Sequence, residues 1–135
     1  MPEQFESLKV LIVDDEKSVA DSLGQIFSIH GYEVRVAYTA EQALEMSLAW
    51  KPGFAILDVV LPKMSGIDLA IVFKEMVPDC HVMLFSGQII TEDMMSEAGR
   101  KGHAFDIVAK PVMPVVFLDA ARRLMSIGGK GKSDA

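Results

Sequence analysis

At 135 residues, 50% hydrophobic and 24% charged, the chain has the composition of one globular domain and is too short for a second core. The 13 Lys plus Arg against 19 Asp plus Glu give a formal charge of −6, which argues against a nucleic-acid surface. The single cysteine, Cys80, cannot close an internal disulfide; Met1-Pro2-Glu3-Gln4 opens no signal-peptide pattern, and no run reaches the ~18 apolar residues of a membrane span. A cytoplasmic protein with no membrane segment is expected.

Short apolar runs alternate with stretches of helical period, the pattern of βα units around a parallel sheet. The first strand is predicted at Lys9 to Val13 and ends on Asp14-Asp15. In the helix that follows, Val19, Leu23, Ile26, Phe27 and His30 form a buried stripe, and Gly31 supplies the stop. The second strand runs from Tyr32 to Ala37. Thr39 is a predicted N-cap with Gln42 at the capping-box position, and Ala43, Leu44, Ser47 and Leu48 make the packing stripe of a second helix ending before Lys51-Pro52. The third strand, Phe54 to Leu57, ends on Asp58. A third helix starts near Ser65-Gly66 and is broken at Val77-Pro78.

The fourth strand is His81 to Phe85, an edge-like run followed by Ser86. Thr91, Met94, Met95 and Ala98 predict a short fourth helix closing at Gly102. The fifth strand is Phe105 to Ala109, followed by Lys110, and Pro114 opens a fifth helix that buries Phe117, Ala120, Ala121 and Leu124. The low-complexity stretch 128–135 reads as a flexible C-terminal tail, leaving a domain over residues 8–127. Strict alternation with right-handed crossovers gives a doubly wound α/β fold, a five-stranded parallel sheet in the flavodoxin-like order 2-1-3-4-5. In that order Asp14, Asp15, Asp58, Ser86 and Lys110 all meet at the carboxyl ends of the strands. Three clustered carboxylates repel one another unless a cation joins them, so the cluster invites a divalent metal.

Four segments now stand in order at strand ends: Val13-Asp14-Asp15-Glu16, Leu57-Asp58 through Ser65-Gly66, Phe85-Ser86-Gly87 and Ala109-Lys110-Pro111. With them the chain resembles the receiver domain of two-component response regulators over nearly all of residues 8 to 125. The resemblance implies that Asp58 is a phosphoacceptor, a carboxylate nucleophile served by a histidine kinase or a histidine phosphotransfer protein. It further implies Mg²⁺ held by Asp15, Asp58 and the Val60 carbonyl, with Asp14 acting through water. Lys110 and Ser86 are then the groups that meet the phosphoryl oxygens. Blander readings exist for each residue singly. Asp15 suits an N-cap of the first helix, Asp58 a cap of the third, Ser86-Gly87 a turn and Lys110 a solvated charge.

The sequence departs from that family in two places. Receivers usually carry Tyr or Phe three residues before the lysine, where this chain has Ile107, the nearest aromatic being Phe105. At the start of the fifth helix stand Val115 and Val116. On helical geometry Val115 lies about 200° from Phe117 and faces solvent if Phe117 faces the sheet. Met94, Met95, Val115 and Val116, rimmed by Lys101, Asp106 and Arg122, would suit a homodimer or an output partner, whose identity the sequence leaves unknown. None of His30, His81 and His103 has ligand spacing. The expected function is a single-domain, phosphorylation-controlled signalling module, not a classical enzyme. The alternatives are a receiver fragment of a larger regulator or hybrid kinase, and a Mg²⁺-dependent phosphohydrolase. The hydrolase wants an acid/base Asp where Val60 stands.

Overall fold

The structure is a computed structural model and describes residues 8–86, 106–109 and 114–134. In chain order the elements are β1 (Lys9–Val13), α1 (Lys17–Ile29), β2 (Glu33–Ala37), α2 (Ala40–Ala49), β3 (Phe54–Asp58), α3 (Gly66–Met76), β4 (His81–Ser86), β5 (Asp106–Ala109) and α4 (Pro114–Asp134). The five strands form one parallel sheet in the order β2-β1-β3-β4-β5. This is the predicted α/β topology. The predicted helix around Thr91 to Ala98 lies outside the described residues.

Side chains of the inner strands divide between two cores by the twofold period of a strand. Leu11, Val13, Ala55, Leu57, Val82 and Leu84 pack on one face with Ala40 and Ala43 of α2 and Leu69 and Phe73 of α3. Val10, Ile12, Phe54, Ile56, Met83 and Phe85 pack on the other with Ala20, Leu23 and Phe27 of α1 and Phe117, Ala120 and Ala121 of α4. Phe85 and Phe117 meet edge to face, with centroids 5.6 Å apart, which fixes α4 against β4. At the sheet margin, exposed Glu33 and Arg35 alternate with half-buried Val34 and Val36, so charge blunts the β2 edge.

The helix ends follow the sequence with instructive exceptions. Gly31 has φ +92° and terminates α1. His30 is exposed and not part of the buried stripe; its Nδ1 lies 2.8 Å from the Ile26 carbonyl oxygen, so it serves the helix end. Thr39 caps α2 by accepting from the Gln42 amide at 3.1 Å, while Gln42 Oε1 reaches back to the Tyr38 amide at 2.8 Å, one residue earlier than an ordinary capping box. Leu48 is 71% exposed, because the buried stripe of α2 is Ala40, Ala43 and Ser47. Adjacent residues on a helix point about 100° apart, so Leu48, next to buried Ser47, is turned away from the sheet. β4 is an interior strand between β3 and β5, and His81 is half-buried against the Phe54 ring at 5.8 Å. The backbone remains helical to Asp134, across residues 128–134 that composition reads as a tail. Propagating a nucleated helix fixes one residue per hydrogen bond gained, which is cheap beside nucleation.

Candidate functional site

β1 and β3 are in register with Val13 opposite Leu57, so the residues that follow arrive side by side at the carboxyl edge. One carboxylate oxygen each from Asp14, Asp15 and Asp58 lies within 4.8 Å of the others. Asp14 is fully buried and Asp58 is 5% exposed, whereas Asp15 faces solvent. Each buried acid is aimed by the backbone. Asp14 Oδ1 accepts from the Glu16 amide at 2.9 Å, while the Asp14 amide donates to the Ala37 carbonyl at 3.2 Å. Asp58 Oδ1 accepts from the Val60 amide at 3.2 Å. Two rigid acids and a solvent-facing third form a hard-oxygen donor set open on one side, which fits Mg²⁺ or Ca²⁺ far better than a thiophilic or nitrogen-preferring ion.

Ser86 ends β4 and is 1% exposed. Its strand is joined to the acidic edge, because Phe85 stands opposite Asp58 and its carbonyl accepts from the Val59 amide at 2.9 Å. Ser86 is thereby fixed on the strand next to the one that carries Asp58. β5 continues the series, with Ala109 opposite Ser86. Lys110 follows Ala109 directly but lies outside the described residues. Ile107 is half-buried, stands opposite Leu84 and packs against the core on the α2 and α3 side, which gives the usual aromatic position an aliphatic packing role.

The blander readings fail for the acids. The N-cap of α1 is Glu16, which makes no side-chain capping bond, and the N-cap of α3 is Ser65, which accepts from the Asp68 amide at 3.1 Å. Neither Asp15 nor Asp58 is therefore spent on a helix end. Val60, two residues after Asp58, is 45% exposed. Val115 and Val116 are 49% and 38% exposed while Phe117 is buried, as the helical angle requires. Arg122 is exposed and pairs with Asp119 on its own helix. Asp106 opens β5, and Met94, Met95 and Lys101 lie outside the described residues, as do Phe105 and His103.

Three features of the loops at the carboxyl edge of the sheet are not legible in the sequence. A Cβ on Gly66 would lie 2.0 Å from the Asp58 carbonyl oxygen, and the Gly66 amide donates to the Val59 carbonyl at 2.7 Å, so α3 is seated directly on the strand end that carries Asp58. The Ser65-Gly66 pair was visible as a helix start, but not its contact. Lys63, in the loop between Asp58 and α3, has φ +69°, a left-handed conformation unusual for a lysine. Tyr38, after β2, donates from its hydroxyl to Asp21 Oδ1 at 2.6 Å and carries the Lys17 ammonium 4.9 Å from its ring centroid.

Comparison with known proteins agrees with this geometry. The family model of the response regulator receiver domain matches residues 10–122. Response regulator MprA of Mycobacterium ulcerans (strain Agy99) is 30% identical over 121 residues, an alignment covering 88% of this chain and 50% of that protein. The chain thus spans about half the length of the curated relatives it matches. The receiver domain protein (CheY-like) of Methanospirillum hungatei JF-1 superposes with a TM-score of 0.82 at 27% identity, covering 93% of this chain and 99% of that one. A response regulator of Burkholderia pseudomallei, solved with a phosphorylated aspartic acid, calcium ion and citrate, superposes with a TM-score of 0.76 at 25% identity, covering 93% and 73%. With the acidic cluster at the carboxyl edge of a 2-1-3-4-5 sheet and a family match over most of its length, the chain belongs to the receiver domains of two-component response regulators.

Proposed function

We propose that Asp58 is the phosphoacceptor of a two-component relay, and that phosphorylation switches the chain between two signalling states. The observation that carries this is the convergence of Asp14, Asp15 and Asp58 within 4.8 Å, beside a strand ending in buried Ser86. A carboxylate oxygen of Asp58 attacks the phosphorus of a phosphohistidine on a histidine kinase or histidine phosphotransfer protein. The P–N bond breaks, the imidazole leaves with its electron pair, and an aspartyl phosphate remains.

Asp15, Asp58 and the Val60 carbonyl would hold Mg²⁺, with Asp14 behind water. The metal supplies positive charge that lessens repulsion between the attacking carboxylate and the phosphoryl group. Asp14 and Asp58 arrive preoriented by the Glu16 and Val60 amides, so their geometry costs little reorganisation. The Ser86 hydroxyl donates to a phosphoryl oxygen and Lys110 pairs with another, each reporting the phosphate to its own strand end. Ile107 lacks a hydroxyl-bearing or rotating ring, so the response passes through Ser86 and the segment after it. The chain catalyses only its own phosphoryl transfer and dephosphorylation, and acts in the cytoplasm; among the described residues no helix is long and apolar enough to cross a membrane.

Incubation with a small phosphodonor and Mg²⁺, read by intact mass, tests the assignment. One acid-stable, hydroxylamine-labile phosphoryl group is expected on the wild type and none on Asp58→Asn. Labelling of that variant at the wild-type rate would refute it. Because the matched relatives are about twice as long, the same receiver also suits a longer regulator, and the mass of the native protein decides between the two. Exposed Val115, Val116 and Arg122 are assigned to a homodimer or output-partner face, together with Met94, Met95 and Asp106.

A further inference from the structure

Two exposed helix faces carry the same pattern with opposite charge. On α2, Glu41, Glu45 and Leu48 stand at i, i+4 and i+7, within about 60° of one another around the helix axis. All three are exposed, and the other side of the helix, Ala40, Ala43 and Ser47, is buried. On α4, Val115 with Arg122 and Val116 with Arg123 are exposed pairs seven residues apart, while Phe117, Ala120 and Ala121 face the core. Each face thus holds an apolar group and a charge two turns apart, about 10 Å at the rise of a helix.

The order along the chain is reversed between the two. On α2 the charge comes first and Leu48 last, whereas on α4 the valines come first and the arginines last. Laid antiparallel, Leu48 meets Val115 and Val116 while Glu41 meets Arg122 and Arg123. Laid parallel, Glu41 meets a valine and Leu48 an arginine, so the pattern selects one direction. These charges are little committed elsewhere. Arg122 pairs with Asp119 on its own helix, but Arg123 and Glu45 make no ion pair among the described residues. Glu41 has Lys63 at 3.8 Å, both side chains well exposed, a contact that contributes little.

The chain is also divided by sign: residues 1–99 carry 6 Lys plus Arg against 16 Asp plus Glu, and residues 100–135 carry 7 against 3. The basic α4 therefore belongs to an otherwise acidic molecule, and a second copy supplies an acidic helix of matching spacing. Because α2 lies on one face of the sheet and α4 on the other, the two cannot share a single two-fold patch, and their contact is heterologous.

We propose that α4 of one copy docks antiparallel on α2 of a second copy, Val115 and Val116 against Leu48, and Arg123 against Glu41. The inference rests on the association face assigned under Proposed function and names its occupant. A single pair of short helices buries less than the roughly 1,200 Å² of a stable interface, so the contact is weak and concentration-dependent.

Sedimentation equilibrium of the full chain tests it. The weight-average mass of the wild type is expected to rise with concentration at about 0.01 M salt and to fall toward the monomer near 1 M. Glu41→Lys and Arg123→Glu should each weaken association about threefold to tenfold, since each replaces an exposed attraction by a repulsion. An equimolar mixture of the two variants should associate like the wild type, because the reversed α2 of one now meets the reversed α4 of the other. Circular dichroism that matches the wild type confirms that each variant keeps its fold. A mixture no better than its components overturns the inference. If Arg123→Glu weakens association and Glu41→Lys does not, α4 remains an association face but α2 is not its occupant, and the inference falls alone. A wild type that stays monomeric at every concentration overturns the inference together with the homodimer form of the face.

Discussion

Replacing Gly66 by alanine is the sharpest single test of how α3 positions the phosphoacceptor. The added methyl would stand 2.0 Å from the Asp58 carbonyl oxygen, 2.8 Å from the Asp58 carbonyl carbon and 2.8 Å from the Val59 Cα, where ordinary contact begins at 3.4 Å. All three neighbours are backbone, so no side-chain rotation relieves the clash; the start of α3 or the end of β3 must retreat by more than an ångström. Overpacking of this kind costs about 1–3 kcal/mol, and losing the 2.7 Å bond from the Gly66 amide to the Val59 carbonyl costs about 1 more. The better helix propensity of alanine returns up to about 1 kcal/mol. The net expectation is destabilisation of roughly 1–3 kcal/mol, read from urea unfolding midpoints at constant m. Gly24→Ala is the internal control, because its closest contact is a side-chain methyl, Val36 Cγ2 at 2.9 Å, and it should cost less than Gly66→Ala. Under native conditions Gly66→Ala should also label more slowly at Asp58. If Gly66→Ala unfolds within about 0.5 kcal/mol of wild type, the backbone yields freely there and the seating argument is wrong.

Asp15→Ala should lose most Mg²⁺ affinity by titration while keeping its fold, since Asp15 is solvent-facing and its removal also relieves repulsion from Asp14 and Asp58. Burial pushes the Cys80 thiol up to about 12, against 9.0 for the free group, with Lys74 only partly offsetting it. The native state therefore keeps that proton more tightly than the unfolded chain, and the contribution is complete below pH 9 and lost as pH rises from about 9 toward 12, with a slope of at most ~1.4 kcal/mol per unit. Urea midpoints that fall over this range in wild type and less in Cys80→Ala would bear this out. Val115→Glu should change stability by less than about 0.5 kcal/mol, since the residue is 49% exposed, yet weaken any phosphorylation-enhanced dimer in sedimentation without slowing Asp58 labelling. Amide exchange of residues 128–134 should outpace that of Phe117 to Leu124, because Gly128, Gly129 and Gly131 each cost a helix ~1 kcal/mol relative to alanine; equal protection would contradict it.

Much of the fold was legible because buried parallel strands are written as apolar runs and amphipathic helices as a second period. Lys9 to Val13 was read with its observed limits, and the other inner strands differ only in whether Asp58 and Ser86 belong to the strand they close. The acidic cluster was legible for a related reason. Strand order fixes which chain segments share an edge, and a residue directly after a strand has little freedom to leave it. Two of the departures, Leu48 and His30, are settled within a single turn of helix. Leu48 is apolar and adjacent to the buried Ser47, so composition favours burying it, but the helix turns by about 100° per residue and here the Ala40, Ala43 and Ser47 stripe faces the core. His30 continues the same apolar stripe in the sequence, but it stands at a helix end with carbonyls to satisfy and is exposed.

The less visible features share a different property: each depends on a distance between residues in different elements. Gly66 reads as an ordinary helix-start glycine until the Asp58 carbonyl is found beneath it, and Tyr38 reads as a loop aromatic until Lys17 and Asp21 are found on its face and hydroxyl. A motif records the residues that act on the phosphoryl group, because their chemistry restricts which side chains will serve. The residues that hold those groups in place are restricted by shape and by charge balance instead. Buried Asp14 shows how the two meet. Its carboxylate is chosen by chemistry, but what fixes it is the Glu16 amide on one side and the Ala37 carbonyl pairing with its own amide on the other, two backbone groups that any sequence would supply and only this register of β1 on β2 brings into reach.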